Sequence, residues 1–153
     1  MSHKFVKIAV NRKAYHDYFI MDTVEAGIVL KGSEIKSIRA GRVGLSDAYA
    51  RPENGELWLY NCHIAAYSAA SYNSHEPERP RKLLLHRNEI DGIASKIKQQ
   101  RLTLVPLKLY IKHGVAKLEL GVVKGKRAYD KRETIARREI DRELDRTLKT
   151  RRR

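Results

Sequence analysis

Apolar and polar positions alternate along much of the chain and shift to helical spacing in only a few places. From Tyr15 to Leu30 the pattern predicts a strand, with Tyr18 and Ile20 on one parity, Asp17 and Phe19 on the other, and Gly27 as a bulge or sharp bend. Ser33 reads as the N-cap of a short helix with Glu34 in its first turn, Ile35 and Ile38 on one face, and Gly41 as its end. Val43 to Arg51 and Glu56 to Tyr67 read as paired strands. Pro52-Glu53-Asn54-Gly55 joins them, because Asn-Gly tolerates the positive φ that tight hairpin turns require. Ala69 to Arg81 carries Pro77 and Pro80 among Ser, Asn and Glu and reads as loop.

Ile90, Ile93, Ala94 and Ile97 follow helical spacing, so Asn88 to Gln100 is an amphipathic helix. Leu102, Leu104, Leu107, Leu109 and Ile111 mark a strand whose phase shifts at Pro106, as at a bulge or an edge. His113-Gly114 turns the chain into a last strand, where Ala116, Leu118, Leu120 and Val122 alternate with Lys117, Glu119 and Gly121. The sum is about six strands and two helices joined mainly by short turns, which implies antiparallel pairing. The fold class is mainly β with short helices (α+β). A small closed barrel suits so few strands, and a split sandwich is the other arrangement they allow.

The pattern changes beyond Val123, which divides the chain into a barrel over 1–123 and a tail over 124–153. The tail holds 4 Lys and 9 Arg against 6 acids, half of the chain's formal net charge of +14. It is too polar to form a core of its own. Ile140, Leu144 and Leu148 recur every four residues, and Glu133 with Arg137 and Asp145 with Lys149 form opposite-charge pairs at helical spacing. Arg138, Arg142 and Arg146 repeat a like charge at the same spacing, so the expectation is a helix that forms against a partner.

With 153 residues, 42% of them hydrophobic, the chain has material for one core and an appendage. Its 32 Lys and Arg against 18 acids point to nucleic acid or another anionic surface. No apolar run approaches a membrane span, so no membrane association is expected. Met1-Ser2-His3-Lys4 lacks the apolar core of a signal peptide, and the single cysteine, Cys62, suits a reducing, cytoplasmic setting. Cys62 lies in a strand-like run and reads as a small core residue.

Catalytic chemistry finds little support. Gly121 to Arg127 resembles a phosphate loop but is one residue short and lacks the Ser or Thr that would hold magnesium. The six histidines show no metal spacing, and His16-Asp17 has no nucleophile at a fixed distance in sequence. No enzyme, metal or cofactor is expected. Binding chemistry is better represented. Asn11-Arg12-Lys13-Ala14-Tyr15-His16 sets two cations, an amide and aromatic rings together, a group suited to phosphates and a base or sugar, or equally to a polar surface helix turn. Three consecutive leucines, Leu83-Leu84-Leu85, cannot all face inward on a strand, and Leu84 has the odd parity. It faces either a partner or a buried edge beneath the loop. Glu25 is an acid in a basic protein that could accept from base amino groups or sugar hydroxyls, or form a surface ion pair. Trp58 and Tyr60 read as core aromatics rather than stacking platforms. Tyr129, set among Lys126, Arg127, Asp130, Lys131 and Arg132, offers a ring to a base.

Several of these segments occur together and in order. They are Asn11-Arg12-Lys13-Ala14, His16-Asp17-Tyr18, Glu25-Ala26-Gly27-Ile28, Gly32 to Ser37 with Arg39-Ala40-Gly41, Arg81 to Leu85, Thr103 to Leu107, and Gly125 to Arg132. In these the chain resembles the small protein B family, the SsrA-binding proteins of bacterial trans-translation. The resemblance implies an oligonucleotide-binding (OB-fold-like) barrel without catalysis, monomeric, that binds the tRNA-like domain of transfer-messenger RNA (tmRNA). It implies delivery of that RNA to stalled ribosomes, so that a degradation tag is added to the nascent chain. Alanyl-tRNA synthetase and elongation factor Tu would be met indirectly, through the RNA.

By position, the resemblance puts Glu25, Leu84 and His86 at the RNA, with Asn11, Arg12 and Lys13 near the same face. His86 stands where family members have asparagine. Gly125, Lys126, Arg127, Tyr129, Asp130, Lys131 and Arg132 match the segment that works in the decoding centre, where Tyr129 would stack on small-subunit rRNA. Leu148 matches an apolar position near the tail's end, and Thr147 departs from an apolar neighbour. The tail is expected to be disordered when free and helical in the empty mRNA channel. The alternative reading is a ribosomal or translation-factor OB module that holds rRNA permanently.

Overall fold

Every strand pairing in the computed structural model, which describes residues 5–66, 75–126 and 128–151, is antiparallel. The order is β1 (Phe5–Val10), α1 (Arg12–Asp17), β2 (Tyr18–Ile28), α2 (Gly32–Arg39), β3 (Val43–Gly44), β4 (Tyr49–Glu53), β5 (Glu56–Tyr60) and β6 (His63–Ile64). It continues with β7 (Arg81–Leu84), α3 (Arg87–Gln100), β8 (Thr103–Lys112), β9 (Val115–Gly125) and α4 (Ala128–Arg151). The main sheet runs β1-β8-β4-β5-β7-β2-β9, and β8 also pairs with β9. That pairing closes β8, β4, β5, β7, β2 and β9 into a ring and leaves β1 outside it. The closed barrel is therefore the arrangement adopted, not the split sandwich. β3 and β6 pair separately.

The phase shift at Pro106 has a clear purpose. The β8–β9 register slips between Pro106 and Lys108. Before the slip β8 pairs with β4, at Ala50 and Leu104; after it β8 takes β1, from Val10–Lys108 to Phe5–Lys112. Proline has no N–H to give a ladder, so the change of partner falls where a bond is already missing. Inside the ring lie Leu57, Leu59, Leu83, Leu104, Leu109, Leu118 and Leu120, covered by Ile38 of α2 and by Ile90 and Ile93 of α3. A second cluster, Ala14, Val105, Leu107 and Val123, seats α1 on the barrel. Cys62 is a buried core residue, as expected, and burial pushes its thiol up to about 11.

Several boundaries differ from the sequence pattern. β1 was not foreseen, and Tyr15 to Asp17 are the end of a helix rather than the start of a strand. The irregularity in β2 falls between Ile20 and Asp22, not at Gly27. The N-cap of α2 is Lys31, whose backbone N–H donates to Glu34 Oε1 at 2.7 Å. Ser33 sits inside the first turn and instead bonds His75 Nδ1 at 2.9 Å. Residues 45–48 break the strand expected over Val43 to Arg51. Arg81 belongs to β7 instead of the loop, whose residues 69–74 lie outside the described ones. The β4–β5 hairpin turns at Asn54 (φ 52°) and Gly55 (φ 78°), as expected.

A buried ionic cluster anchors the segment leading into β7. Glu34, fully buried, accepts from Arg79 Nη2 at 2.5 Å and from Arg81 Nε. Arg81, equally buried, also donates to the carbonyls of Cys62 (2.7 Å) and Pro77 (3.1 Å). Burial alone would raise the Glu34 carboxyl, but the bonds from Arg79, Lys31 and Arg81 hold it below its ordinary value.

Candidate nucleic-acid interface

β7 begins at the buried Arg81, and the alternation then puts Leu83 inside and Leu84 outside, 51% exposed. Leu84 lies opposite Gly27 on β2. A Cβ on Gly27 would stand 3.2 Å from the Leu84 Cβ, so the missing side chain is what lets Leu84 lie across the strand. Glu25, two residues earlier on β2, shares that outer face and is exposed. His86 is the N-cap of α3 at extended φ and ψ; it is exposed, and its side chain makes no capping bond. Glu25, Gly27, Leu84, His86, Glu89 and Lys117 line one open depression of about 350 Å3. Three residues expected at the RNA, Glu25, Leu84 and His86, thus come together from three elements.

The basic cluster near the N-terminus does not join them. Asn11 is buried; its Nδ2 donates to the carbonyls of Leu45 (3.2 Å) and Pro106 (2.8 Å), and its Oδ1 accepts from the Ala14 N–H at 3.1 Å. Both donor hydrogens are committed, so of the two readings the cluster allowed the helix turn is the one adopted: the Asn11 amide caps α1 and ties it to the barrel. Arg12 and Lys13 are exposed, and Lys13 Nζ stands 3.4 Å from Asp47. They lie on α1, beside the other end of β2, whose first residue, Tyr18, is seven residues from Glu25, or about 23 Å of strand.

That far end is also where the tail leaves. β9 pairs Lys117 with Gly27 beside the depression and Gly125 with Tyr18 at the end of α1. The Lys126 N–H donates to the Asp17 carbonyl at 2.9 Å, and Lys126 Nζ stands 5.2 Å from the centre of the Phe19 ring. Residues 121–125 are extended strand, which removes the resemblance to a phosphate loop. Arg127 lies outside the described residues, as do the side chains of Tyr129, Asp130, Lys131, Arg132 and Leu148. Every side chain from Ala136 to Thr147 is exposed, Ile140 and Leu144 of the apolar stripe included.

Trp58 and Tyr60 face outward, since the alternation along β5 buries Leu57 and Leu59. Tyr60 stacks on Tyr49 with centroids 5.6 Å apart, and Arg51 lies 4.7 Å from the Tyr60 ring centre. Among the described residues no group of three or more His, Cys, Asp or Glu is placed to hold a metal. No helix among them is long and apolar enough to cross a membrane.

Residues 8–150 match the family model described as SmpB protein. An SsrA-binding protein of Carboxydothermus hydrogenoformans is 58% identical over 144 residues, covering 94% of this chain and 97% of its own. One of Roseiflexus castenholzii is 60% identical over 145 residues, covering 94% and 92%. A solved chain described as "tmRNA-SmpB: a journey to the center of the bacterial ribosome" is 51% identical with a TM-score of 0.67, covering 78% of this chain and 85% of that one. The extent of these matches, on a closed antiparallel barrel with a basic tail, makes the chain a member of the SmpB family of SsrA-binding proteins.

Proposed function

We propose that the protein binds transfer-messenger RNA and carries it to stalled ribosomes for trans-translation. The carrying observation is the uncovered Leu84, laid across Gly27 beside Glu25 and His86, in a chain of this family. An exposed leucine with an acid and an imidazole around it suits a folded RNA, offering a base or sugar apolar contact and hydrogen bonds. Phosphates supply affinity, and Lys117 stands within the same depression to meet them. Arg12 and Lys13, at the far end of β2, meet the phosphate backbone of an RNA long enough to follow the barrel.

The tail does the second task. Lys126 to Arg132 enter the decoding centre, Tyr129 stacks on small-subunit rRNA, and the helix follows the mRNA channel with Leu148 near its end. A message would fill that channel and exclude the helix, so the tail distinguishes a stalled ribosome from a translating one. The barrel, whose last strand β9 runs to Gly125, and the helical tail beyond it act as separate units. The protein does no chemistry of its own and works in the cytoplasm, where the ribosome is.

Glu25→Ala and Leu84→Ala test the interface. Each is expected to weaken the complex with transfer-messenger RNA by about 1–3 kcal/mol while the protein stays folded. Unchanged affinity in both would remove the depression from the RNA site.

A further inference from the structure

The acid at the RNA face is held from behind. Glu25 stands opposite Glu119 in the β2–β9 register, a like-charge pairing that by itself would push both side chains apart. Two groups on β8 oppose that. The Tyr110 hydroxyl donates to Glu25 Oε2, and Lys112 Nζ lies 3.8 Å from the same oxygen. Among the described residues no partner reaches Oε1.

Tyr110 is itself enclosed. It is 5% exposed although it lies on the outer face of the barrel, because the ring of Phe5 covers it with centroids 4.6 Å apart and planes tilted 31°. Phe5 belongs to β1, the strand outside the ring, and pairs with Lys112. Burial, and then the Glu25 carboxylate, push the Tyr110 phenol above its ordinary value, so it remains a donor across any physiological pH.

We propose that Tyr110 is a positioning residue for the RNA site: capped by Phe5, it fixes the Glu25 carboxylate with Oε2 turned into the barrel wall and Oε1 presented to a hydrogen-bond donor of the RNA. This rests on the depression at Glu25 and Leu84 being the RNA site. A fixed carboxylate repels phosphate and accepts only from donors, which on RNA means base amino or imino groups and ribose hydroxyls. Lys112 and Lys117 beside it bring phosphates near without satisfying Oε1. Glu25 thereby contributes selectivity, and β1 contributes to that selectivity without touching the RNA.

The test is a double-mutant cycle in the full-length protein, with transfer-messenger RNA as ligand and Tyr110→Phe, Glu25→Ala and both together as variants. Tyr110→Phe keeps the ring under Phe5 and removes only the hydroxyl. It is expected to lower affinity about 5- to 10-fold. Its salt slope should stay unchanged and its thermal midpoint should move by no more than about 2 °C. In the Glu25→Ala background, where no acceptor is left for the hydroxyl, it is expected to add nothing. Phe5→Leu, which thins the cover, should give a smaller loss that also vanishes in that background. Losses that multiply in the double variant, or wild-type affinity in Tyr110→Phe while Glu25→Ala is impaired, would overturn the positioning role. Wild-type affinity in Glu25→Ala and Leu84→Ala would instead remove the site reading beneath it.

Discussion

Single side chains here divide into those that build the surface and those that are the surface. Glu34 builds: it is buried against two arginines and fixes the approach to β7, so that the parity of Leu84 is settled before any RNA arrives. Glu34→Gln leaves Arg81 buried without its charge partner and should cost about 3 kcal/mol in urea unfolding at neutral pH. The pH dependence has a definite sign. A carboxyl held below its ordinary value of 4.5 in the folded state contributes stability above that value and loses it as pH falls through the lowered one. The difference between wild type and Glu34→Gln should therefore shrink in acid; a constant difference from pH 7 to pH 3 would contradict the pairing. Gly27 acts by absence. In Gly27→Ala the added Cβ would stand 3.2 Å from the Leu84 Cβ, which moves only with the β7 backbone, so stability should fall by about 1 kcal/mol. RNA affinity should fall with it, by on the order of 1 kcal/mol, as Leu84 is displaced.

At the scale of elements, period-two alternation carried most of what was legible. Three leucines in a row force one outward, and the parity identified Leu84 without any knowledge of its neighbours. Pro106 marked the slip in β8, and Asn54-Gly55 the hairpin. β1 escaped because Phe5-Val6-Lys7-Ile8-Ala9-Val10 is nearly continuous in apolar residues and lacks the alternation of a half-buried strand. The amide of Asn11 was ambiguous on physical grounds, since a cap and a base contact demand the same donors and acceptor. Tyr110 could not be found at all, because its partner Glu25 lies 85 residues away and only strand pairing brings them together. The shared strands β2 and β9 also separate the two proposed sites, with the depression at one end and the root of α4 at the other. Tyr129→Ala should accordingly keep transfer-messenger RNA affinity within about twofold of wild type, since its place in the tail is remote from Glu25. Tagging of nascent chains on stalled ribosomes should fall about tenfold or more with the loss of a stacked base. An equal loss of both would show that barrel and tail do not divide the work.

For the whole molecule the question is whether shape or charge selects the RNA. A net charge of +14 guarantees some affinity for any polyanion, and that part declines steeply with salt. The part proposed for Glu25, Leu84 and His86 would depend on a folded RNA presenting the right groups, and would persist when phosphates are in excess. The most direct measurement is competition at moderate salt between labelled transfer-messenger RNA and a large excess of bulk tRNA. Survival of the labelled complex is the expected result and assigns selectivity to the barrel face. Displacement in proportion to added phosphate would contradict it, leaving a basic protein that binds RNA by charge alone.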